Sequence, residues 1–508
     1  MRISGYLLDA IDEDSLVYQD LLAAAPKLAL KDISLWGTEA EGEASIRLNW
    51  IDAPITSLDL LPQLEELKMW AAERGLTEIV LCGMGGSTLA PEVIAKTYGK
   101  KLAVLDSTDP TQISLSTPQD LQRTLFVVAS KSGGTIETRS HAAYFQGLLK
   151  GSGFNPSEHM VVITDPGSTL DVSARKEGLR TINADPNVGG RYSALTAFGL
   201  VPATLMGVDC QALLKSAESV KLHQAVVVAT LLAENFDQEI AFCDTESNVP
   251  GLADWIEQLV AESTGKNSKG RLPVVIEEKN SAIAGEVQRI GFTSGYDLSV
   301  VGDLGEHFIF WELVTALLSR AIGINPFDQP NVTEAKERTA QILTQGASQQ
   351  REILLETDHL LVRGAVAPGV VQKTLKEILS AFAGNDSHYI ATMAYLNRFS
   401  DMEITGIREN LALLSKKPTT FGWGPRFLHS TGQFHKGGQP NGSFFQITGE
   451  SENDLPIPGE KFTFQQLLIA QAQGDGQALM SRGFPFITIH LKNRKEGIRE
   501  LLLATQAG

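Results

Sequence analysis

Short apolar segments that alternate with helical segments dominate the chain from about residue 75. "LTEIVLCG" and "RTLFVVAS" are typical of buried strands, and each is followed by a loop and a helical segment. "KLAVLDS" and "HMVVITD" continue the series. Apolar strands that are separated by helices indicate parallel sheets buried on both faces. The sequence therefore predicts an α/β fold built on parallel sheets.

The same patterns divide the chain into four predicted parts. Residues 1–45 are expected to form an N-terminal helical segment, and 46–210 a first α/β domain. Residues 211–390 form a second cycle of strands and helices, and 391–508 a C-terminal α/β lobe. The length of 508 residues suits about three domains. Because no low-complexity linker separates these parts, we expect lobes that pack against one another.

Charge and cysteine content argue against several function classes. The net charge of −17 disfavours nucleic acid as a partner, because nucleic-acid-binding proteins need basic patches. Cys82, Cys210 and Cys243 fit no metal-binding or disulfide pattern, so a reducing compartment is expected. The first residues resemble no signal peptide, and the longest apolar runs are too short to span a bilayer. We therefore expect a cytoplasmic protein that does not bind membranes.

The segment "ASKSGGTIET" follows a predicted buried strand and precedes a predicted helix. Ser130, Ser132 and Thr135 offer hydroxyls, and Lys131 offers a positive charge. Ligands of open parallel sheets lie at the carboxyl ends of strands, and helix N-termini bind phosphate. The alternative is that Thr135 only caps the helix. The segment by itself is compatible with both phosphate binding and simple capping.

A second loop with this character, "LCGMGGSTLAP", also follows a strand and opens a helix. The dinucleotide fingerprint G-x-G-x-x-G, started at Gly83, would require a third glycine at the position of Thr88. Asp106, at the end of the next strand, resembles the acid that binds a ribose in such proteins. Since one glycine is missing, a nicotinamide-dependent dehydrogenase is the weaker interpretation.

Together the two loops resemble those of a sugar-phosphate-binding (SIS) domain. "GMGGSTLAP" is similar to the "G-I-G-G-S" loop of glucose-6-phosphate isomerases, and "SKSGGTIET" to their "S-K-[ST]-x-T-T-x-E-T" loop. Gly134 replaces the first of the paired threonines. The resemblance implies that these loops bind a small sugar phosphate, with its phosphate on Ser87, Ser130, Lys131, Ser132 and Thr135 and with Gly86 among the substrate-binding residues.

Two further motifs of that family supply candidate catalytic residues. "GGRYSALTAFGL" resembles "G-G-R-[FY]-S", and "WIEQLVAESTGK" resembles "E-S-[NST]-G-K". Taken alone, Arg191 would be a solvated loop arginine and Glu262 a solvated glutamate near a helix end. The resemblance implies that Glu262 is the base, that Arg191 stabilises an enediolate, and that Gln258 lies on the substrate side. An arginine suits that charge, since it is a planar cation that keeps its proton.

The candidate ring-opening residues come from two less regular matches. "VGDLGEHFIFWELV" resembles "G-Q-H-x-F-x-Q", which implies His307, although a lone histidine on an apolar helix is more often structural. Glu306 replaces the glutamine, and this carboxylate is expected to raise the pKa of His307. "NPFDQPNVTEAK" resembles "F-D-Q-x-G-V-E-x-G-K", which implies Gln329 and Lys336. A solvated lysine on a helix face is the alternative for Lys336.

Five motifs in the family order imply a glucose-6-phosphate isomerase with tandem SIS-type αβα lobes and an additional C-terminal α/β lobe. The implied reaction interconverts glucose 6-phosphate and fructose 6-phosphate through a cis-enediol, in glycolysis and gluconeogenesis. It needs neither a metal nor an organic cofactor, and the family resemblance further implies a homodimer. Two alternatives stay open: an isomerase that also accepts mannose 6-phosphate, and a SIS-type sensor that binds sugar phosphates without catalysis.

The chain continues well beyond Lys336, where classical members of the family end. "TTFGWGPRFLHSTGQFHKGGQPNGSFFQITG" resembles the C-terminal part of the isomerase half of fused transaldolase–glucose-6-phosphate isomerases. His429 and His435 within it invite a metal-binding interpretation, but their six-residue separation without an intervening Cys, Asp or Glu is poor ligand spacing. A structural or substrate-rim role is therefore expected for this segment.

Overall fold

Strands from all parts of the chain assemble into three sheets in a computed structural model, which describes residues 1–236, 238–346, 351–365 and 374–506. In chain order the strands are β1 (Arg2–Ser4), β2 (Glu78–Cys82), β3 (Ala103–Leu105), β4 (Thr124–Ala129), β5 (Met160–Thr164), β6 (Arg180–Asn183), β7 (Glu239–Cys243), β8 (Pro273–Val275), β9 (Val287–Gly291), β10 (Leu298–Val301), β11 (Ile353–Glu356), β12 (Leu360–Gly364), β13 (Tyr389–Tyr395), β14 (Thr419–Trp423), β15 (Gly442–Gly449) and β16 (Phe486–Leu491).

Helices connect most of these strands and cover the sheets. They are α1 (Leu16–Ala29), α2 (Glu41–Ala44), α3 (Ala53–Thr56), α4 (Leu61–Glu73), α5 (Leu89–Thr97), α6 (Pro110–Ser116), α7 (Ile136–Gly151), α8 (Pro156–His159), α9 (Thr169–Lys176), α10 (Ala197–Leu205), α11 (Cys210–Ala217), α12 (Leu222–Glu234), α13 (Leu252–Thr264), α14 (Leu304–Ala321), α15 (Val332–Gln345), α16 (Leu375–Ala383), α17 (Ile407–Ser415), α18 (Gly432–Gly437), α19 (Phe464–Met480) and α20 (Arg494–Thr505).

The first sheet has the order β3-β2-β4-β5-β6, and all of its strands are parallel. Side chains of β4 alternate between two apolar layers: Leu125 and Val127 join the core formed with α4, α5 and α10, while Phe126 packs on α7. Because β3 and β4 lie on opposite sides of β2, the carboxyl ends of β2 and β4 flank the switch point of the sheet. Ligands of such sheets bind at that point.

The second sheet has the order β1-β10-β9-β7-β8 and is parallel except for β1, which pairs antiparallel with β10. The N-terminal residues thus belong to the second lobe, and α1 packs on α12 and α14 of that lobe. Residues 1–45, predicted as an N-terminal helical segment, contain α1 and α2 and contribute β1 to this sheet. Antiparallel pairing with the edge of a distant sheet leaves no periodic signal in a three-residue strand.

The third sheet has the order β11-β12-β16-β15-β13-β14. Strands β16, β15, β13 and β14 are parallel, whereas β11 and β12 are antiparallel additions at one edge. Because β12 pairs with β16, the third sheet begins at Ile353, before the predicted boundary at residue 390. The predicted α/β class with largely parallel sheets is confirmed.

Buried ion pairs connect the third lobe to the first. Arg398 donates to both carboxylate oxygens of Glu92, at 2.9 and 3.1 Å, and Arg426 approaches Glu92 at 3.2 Å. Arg426 also lies 3.3 Å from Asp106. Burial by itself would raise the pKa of Glu92, but the two arginines hold it well below its usual range. Separation of the two lobes would therefore leave the Glu92 carboxylate and the two arginines without their oppositely charged partners.

No helix among the described residues is long and apolar enough to cross a membrane.

The Glu92 cluster predicts a stability effect. Glu92→Gln should lower the free energy of unfolding by about 3 kcal/mol, because it leaves two buried arginines short of a carboxylate. Chemical denaturation followed by circular dichroism would measure this loss. Glu65→Gln is a matched control, since Glu65 pairs with Lys68 on an exposed helix face, and it should change stability by less than about 1 kcal/mol. Equal effects of both substitutions would contradict the proposed importance of the cluster.

Candidate active site

The turn Gly85–Ser87 follows β2 at the switch point of the first sheet. A Cβ built on Gly86 would overlap the carbonyl oxygen of Gly190, so the two loops can approach each other this closely only with glycine at that position. Gly190 directly precedes Arg191 in the sequence. The contact therefore places the predicted ligands Gly86 and Ser87 beside the predicted catalytic arginine.

The second loop of the switch point, residues 130–135, lies between β4 and α7. The hydroxyl of Ser130 lies 3.3 Å from that of Thr135, and Ser132 accepts a hydrogen bond from the Gly134 amide at 3.3 Å. Thr135 occupies the N-cap position of α7, but its side chain caps no helix amide within the described structure. The amides in the first turn of α7 therefore do not donate to the Thr135 hydroxyl, as simple capping would require. Amides at a helix N-terminus favour the binding of an anion.

Lys131 of this loop makes its contacts elsewhere in the described structure. Its Nζ donates to the Asp165 carboxylate at 2.7 Å and lies 3.4 and 3.3 Å from the carbonyls of Asp185 and Pro186. Burial lowers the pKa of Lys131, and the Asp165 carboxylate opposes that shift. The predicted contact between Lys131 and phosphate stays a prediction, and it would require the lysine to turn from Asp165.

Arg191 and Glu262 form a buried ion pair at the centre of the site. Arg191 Nη1 lies 2.8 Å from Glu262 Oε1, and the two side chains are 4% and 11% exposed. The guanidinium also donates to the carbonyls of Pro326 and Asp328, at 2.7 and 3.0 Å, and to the Gln329 side chain at 3.1 Å. The loop that carries the "FDQ" motif therefore holds the arginine against the glutamate.

Gln258 completes the environment of the glutamate. Because Gln258 and Glu262 are four residues apart on α13, they lie on the same helix face. Gln258 Nε2 donates to Glu262 Oε2 at 3.1 Å and to the His429 carbonyl at 2.7 Å. Each oxygen of the Glu262 carboxylate thus has a polar partner, and the carboxylate has a defined orientation. The structure brings together four of the predicted site residues, Arg191, Gln258, Glu262 and Gln329.

Lys266 is a residue of this site that the sequence prediction did not select. It is buried, and its Nζ donates to the carbonyl and the carboxylate of Asp328, at 2.7 and 2.8 Å. Burial lowers the pKa of Lys266 to about 7. The contacts tie the end of α13 to the loop that holds Arg191. The sequence did contain a signal for Lys266, because it is the final lysine of the "E-S-[NST]-G-K" motif.

Lys336 lies on α15 with its side chain exposed. Its charge is close enough to contribute to lowering the pKa of Glu137 in the first turn of α7. Asn331, at the start of the same helix, accepts a hydrogen bond from Gln433 of the third lobe at 2.9 Å. The departures of this block from the family pattern therefore accompany contacts with the additional lobe.

His307 is not brought together with these residues within the chain. It is completely buried in the first turn of α14, its ring packs edge-on against Phe292 at 5.3 Å, and neither nitrogen has a hydrogen-bond partner in the described structure. Trp255 packs against Phe308, the neighbour of His307, at a ring separation of 4.9 Å. Glu262 follows Trp255 by seven residues on α13, which corresponds to about 10 Å along the helix axis at 1.5 Å per residue. His307 therefore lies near a different part of α13 from the part that carries Glu262.

The Glu306 carboxylate acts on the pKa of His307 in the expected direction, but burial outweighs it. Burial lowers the pKa of His307 to about 3, and the Glu306 charge opposes this without reversing it. Glu306 instead forms a capping box with Asp303 and pairs with the terminal amine of Met1. The acid at this position therefore serves the helix N-terminus, where a carboxylate is stabilised by the unpaired amides.

His429 enters the site from the third lobe. Its Nε2 lies 2.9 Å from Oε1 of Glu137, which also accepts a hydrogen bond from Gln471 at 2.7 Å. Glu137 is buried directly after the loop at residues 130–135, and it was not selected from the sequence although it belongs to the "SKSGGTIET" motif. Its partners lie in the third lobe and are far away in the sequence, so only the structure identifies the group.

His435 has a different environment. It is buried in the third lobe, stacks on Tyr389 at 5.9 Å, and accepts or donates a hydrogen bond with the tyrosine hydroxyl at 3.3 Å. Burial lowers the pKa of His435 to about 3. Its role is structural, whereas His429 lies at the rim of the site. In the part of the chain that the structure describes, no group of three or more His, Cys, Asp or Glu residues is arranged to hold a metal ion.

The close approach of the two glycine loops predicts the effect of adding one methyl group. Gly86→Ala should lower the free energy of unfolding by about 2 kcal/mol or displace the loop at residue 190, because a backbone oxygen occupies the space. Urea denaturation measures the first effect. Gly151→Ala is the control, since a Cβ there meets no atom within 4 Å. A Gly86→Ala protein as stable as the control would argue against the packing described.

The comparisons with known proteins concern the part of the chain that holds these loops. Residues 68–302 match a family model described as phosphoglucose isomerase. A glucose-6-phosphate isomerase of Thermus thermophilus is 32% identical over 242 residues, which cover 44% of this chain and 57% of the relative. A probable glucose-6-phosphate isomerase of Methanococcus maripaludis is 25% identical over 383 residues, which cover 60% of this chain and 86% of the relative.

A crystal structure of a glucose-6-phosphate isomerase from Chlamydia trachomatis superposes with a TM-score of 0.49 at 20% identity, over 59% of this chain and 75% of that chain. The chain spans only 53–57% of the length of the first curated relatives that it matches. The family match includes Arg191 and Glu262, whereas Lys336 and His429 lie beyond it. The resemblance predicted from the motifs is confirmed, since residues 68–302 are similar to the phosphoglucose isomerase family.

Proposed function

We propose that the protein catalyses the reversible isomerisation of glucose 6-phosphate and fructose 6-phosphate. The observation that carries this proposal is the buried pair of Glu262 and Arg191, with Arg191 next to the loop at residues 85–87. The names of the matched relatives agree with it. The reaction belongs to glycolysis and gluconeogenesis, and the family resemblance adds the expectation of a cytoplasmic homodimer.

Binding of the substrate begins with its phosphate. In this proposal the phosphate takes the place that the amides of α7 and the hydroxyls of Ser130, Ser132 and Thr135 surround, with Gly86 and Ser87 on the other side. Helix N-terminal amides and hydroxyls bind a phosphate even on a protein of net negative charge. Lys131 joins the phosphate when it leaves Asp165. The sugar then extends from the switch point toward α13.

The chemical step is a proton transfer between neighbouring carbons. Glu262 takes the proton from C2 of the open-chain aldose, which leaves a cis-enediol, and returns it to C1. The electron pair released at C2 moves onto the neighbouring oxygens, where the Arg191 guanidinium stabilises it. Gln258 holds the second carboxylate oxygen, so that the base keeps its orientation. A base and a fixed cation suffice for these steps, and none of them calls on a metal or an organic cofactor.

Ring opening must precede that transfer, because the reacting carbonyl exists only in the open chain. Lys336 is the proposed proton donor to the ring oxygen, from the exposed face of α15. The predicted participation of His307 stays a prediction, and its complete burial within this chain gives it no support.

The sequence left two alternatives open, a sensor that binds sugar phosphates without catalysis and an isomerase that also accepts mannose 6-phosphate. A non-catalytic sensor would need the loops at residues 85–87 and 130–135 but no buried carboxylate paired with an arginine, so the site favours an enzyme. Acceptance of mannose 6-phosphate would require a site that tolerates either configuration at C2. Conversion of fructose 6-phosphate to each aldose phosphate, measured with separate coupled dehydrogenases, decides between single and dual specificity.

Replacement of the proposed base gives the first test of the function. Glu262→Gln should reduce kcat by about a hundred- to ten-thousand-fold with little change in KM, because the amide keeps the size of the side chain but accepts no proton. The measurement is the formation of glucose 6-phosphate from fructose 6-phosphate in a coupled assay.

Glu257→Gln on the same helix is the matched control. Burial and the nearby Asp254 raise the pKa of Glu257 well above its usual range, which favours the uncharged form that the amide resembles. Its kcat should stay close to that of the unchanged protein. A Glu262→Gln variant that keeps full kcat would overturn the assignment of the base, and an unchanged protein without turnover would overturn the proposed function.

A further inference from the structure

His429 lies where the three parts of the proposed site meet. A Cβ on Gly85 would be 2.9 Å from the His429 carbonyl oxygen and 3.1 Å from its Cβ, so the residue packs directly on the first phosphate loop. Its carbonyl accepts the hydrogen bond of Gln258, the residue that also orients Glu262. A residue of the additional lobe is therefore in the immediate surroundings of the proposed base.

A buried carboxylate orients the ring of His429. Glu137 lies 2.9 Å from its Nε2, and Gln471 donates to the same carboxylate oxygen at 2.7 Å while accepting a hydrogen bond from Thr108 at 2.7 Å. Burial by itself would raise the pKa of Glu137, but its polar and charged neighbours lower it. Because Gln471 Nε2 donates to Oε1 of Glu137, this oxygen acts as an acceptor, and Nε2 of the histidine is the donor in their contact.

The other ring nitrogen of His429 is available. Nδ1 makes no hydrogen bond within the described chain, and the side chain keeps 15% of its surface exposed. With the hydrogen on Nε2, Nδ1 carries a lone pair that accepts a proton. The carboxylate then stabilises the imidazolium that forms, as in other arrangements of an acid behind a histidine.

Lys336 supplies the cation of this arrangement. It is exposed on α15, and its positive charge contributes to lowering the pKa of Glu137. His307, by contrast, is completely buried against Phe292 and has no such partner in the described structure. Within the described chain, the arrangement of base, orienting acid and nearby cation is therefore found at His429.

We propose that His429 is the catalytic base that opens the sugar ring, with Glu137 as its positioning residue; this inference rests on the proposed isomerase function. Nδ1 of His429 accepts the proton of the anomeric hydroxyl while the bond between the anomeric carbon and the ring oxygen breaks. The ring oxygen keeps that electron pair and receives a proton from the Lys336 ammonium group. Closure of the product ring reverses both transfers and restores both residues.

The test separates ring opening from isomerisation. In the Glu262→Gln protein isomerisation is expected to be slower by about a hundredfold or more. Exchange between the α and β anomers of glucose 6-phosphate, followed by NMR exchange spectroscopy, then reports ring opening. This variant should accelerate the exchange above the spontaneous rate. Adding His429→Gln should return the exchange to the spontaneous rate, and adding Glu137→Gln should reduce it by about tenfold or more, as expected for loss of a base and of its orientation.

His388→Gln is the matched control. His388 also pairs with a glutamate, Glu239, at 2.7 Å, but on an exposed surface outside the site. Added to the Glu262→Gln protein, it should leave the anomer exchange unchanged. Thermal unfolding of every variant establishes that it is folded, and Glu137→Gln supplies the comparison if His429→Gln does not fold.

The possible outcomes are distinct. Anomer exchange that stays fast without His429, or that the Glu262→Gln protein never accelerates, overturns the proposal. Loss of exchange only with the changes at His429 and Glu137 supports it. If the unchanged protein converts no hexose phosphate but its anomer exchange depends on His429, the isomerase proposal fails while the assignment of His429 stands. An effect of His429→Gln on KM alone would assign it to binding and overturn the catalytic role.

Discussion

The ion pair between Arg191 and Glu262 is the interaction on which the site depends. A buried guanidinium and a buried carboxylate lose their hydration, and their attraction offsets that loss only when their remaining polar atoms also find partners. Here the carbonyls of Pro326 and Asp328 serve the arginine, and Gln258 serves the glutamate. Segments far apart in the sequence must therefore assemble before the pair is stable, which couples formation of the site to docking of the lobes.

The third lobe contributes to that assembly directly. Its His429 carbonyl accepts the Gln258 amide, and Gln433 connects Gly265, at the end of α13, to Asn331. The Glu92 cluster joins the same lobe to the first sheet through buried arginines. An interface between lobes can be stabilised by apolar packing alone, which avoids the desolvation penalty of buried charged groups. Charged groups in this interface are therefore not needed merely to hold the lobes together. The position of the third lobe indicates that it shapes the site.

Several site residues were predictable because their relation is local. Gln258 and Glu262 are four residues apart on one helix, so helical geometry alone puts them on one face. The loops after β2 and β4 end adjacent parallel strands, which brings them to one edge of the sheet. The prediction for His307 had no such support, because a motif match does not show whether a side chain is buried or faces the site. Glu137 was overlooked for a related reason: its partners His429 and Gln471 follow it by about three hundred residues.

The sequence by itself determined the alternation of strands and helices, the α/β class and the two polar loops, since these follow from hydrophobic periodicity and from residues adjacent in the chain. Only the tertiary structure decided that β1 belongs to the second sheet, that the third sheet begins at Ile353, and that His429 rather than His435 borders the site. These three placements depend on which surfaces of the chain pack against one another. Burial and long-range hydrogen bonds are properties of the assembled chain, and no local pattern of residues encodes them.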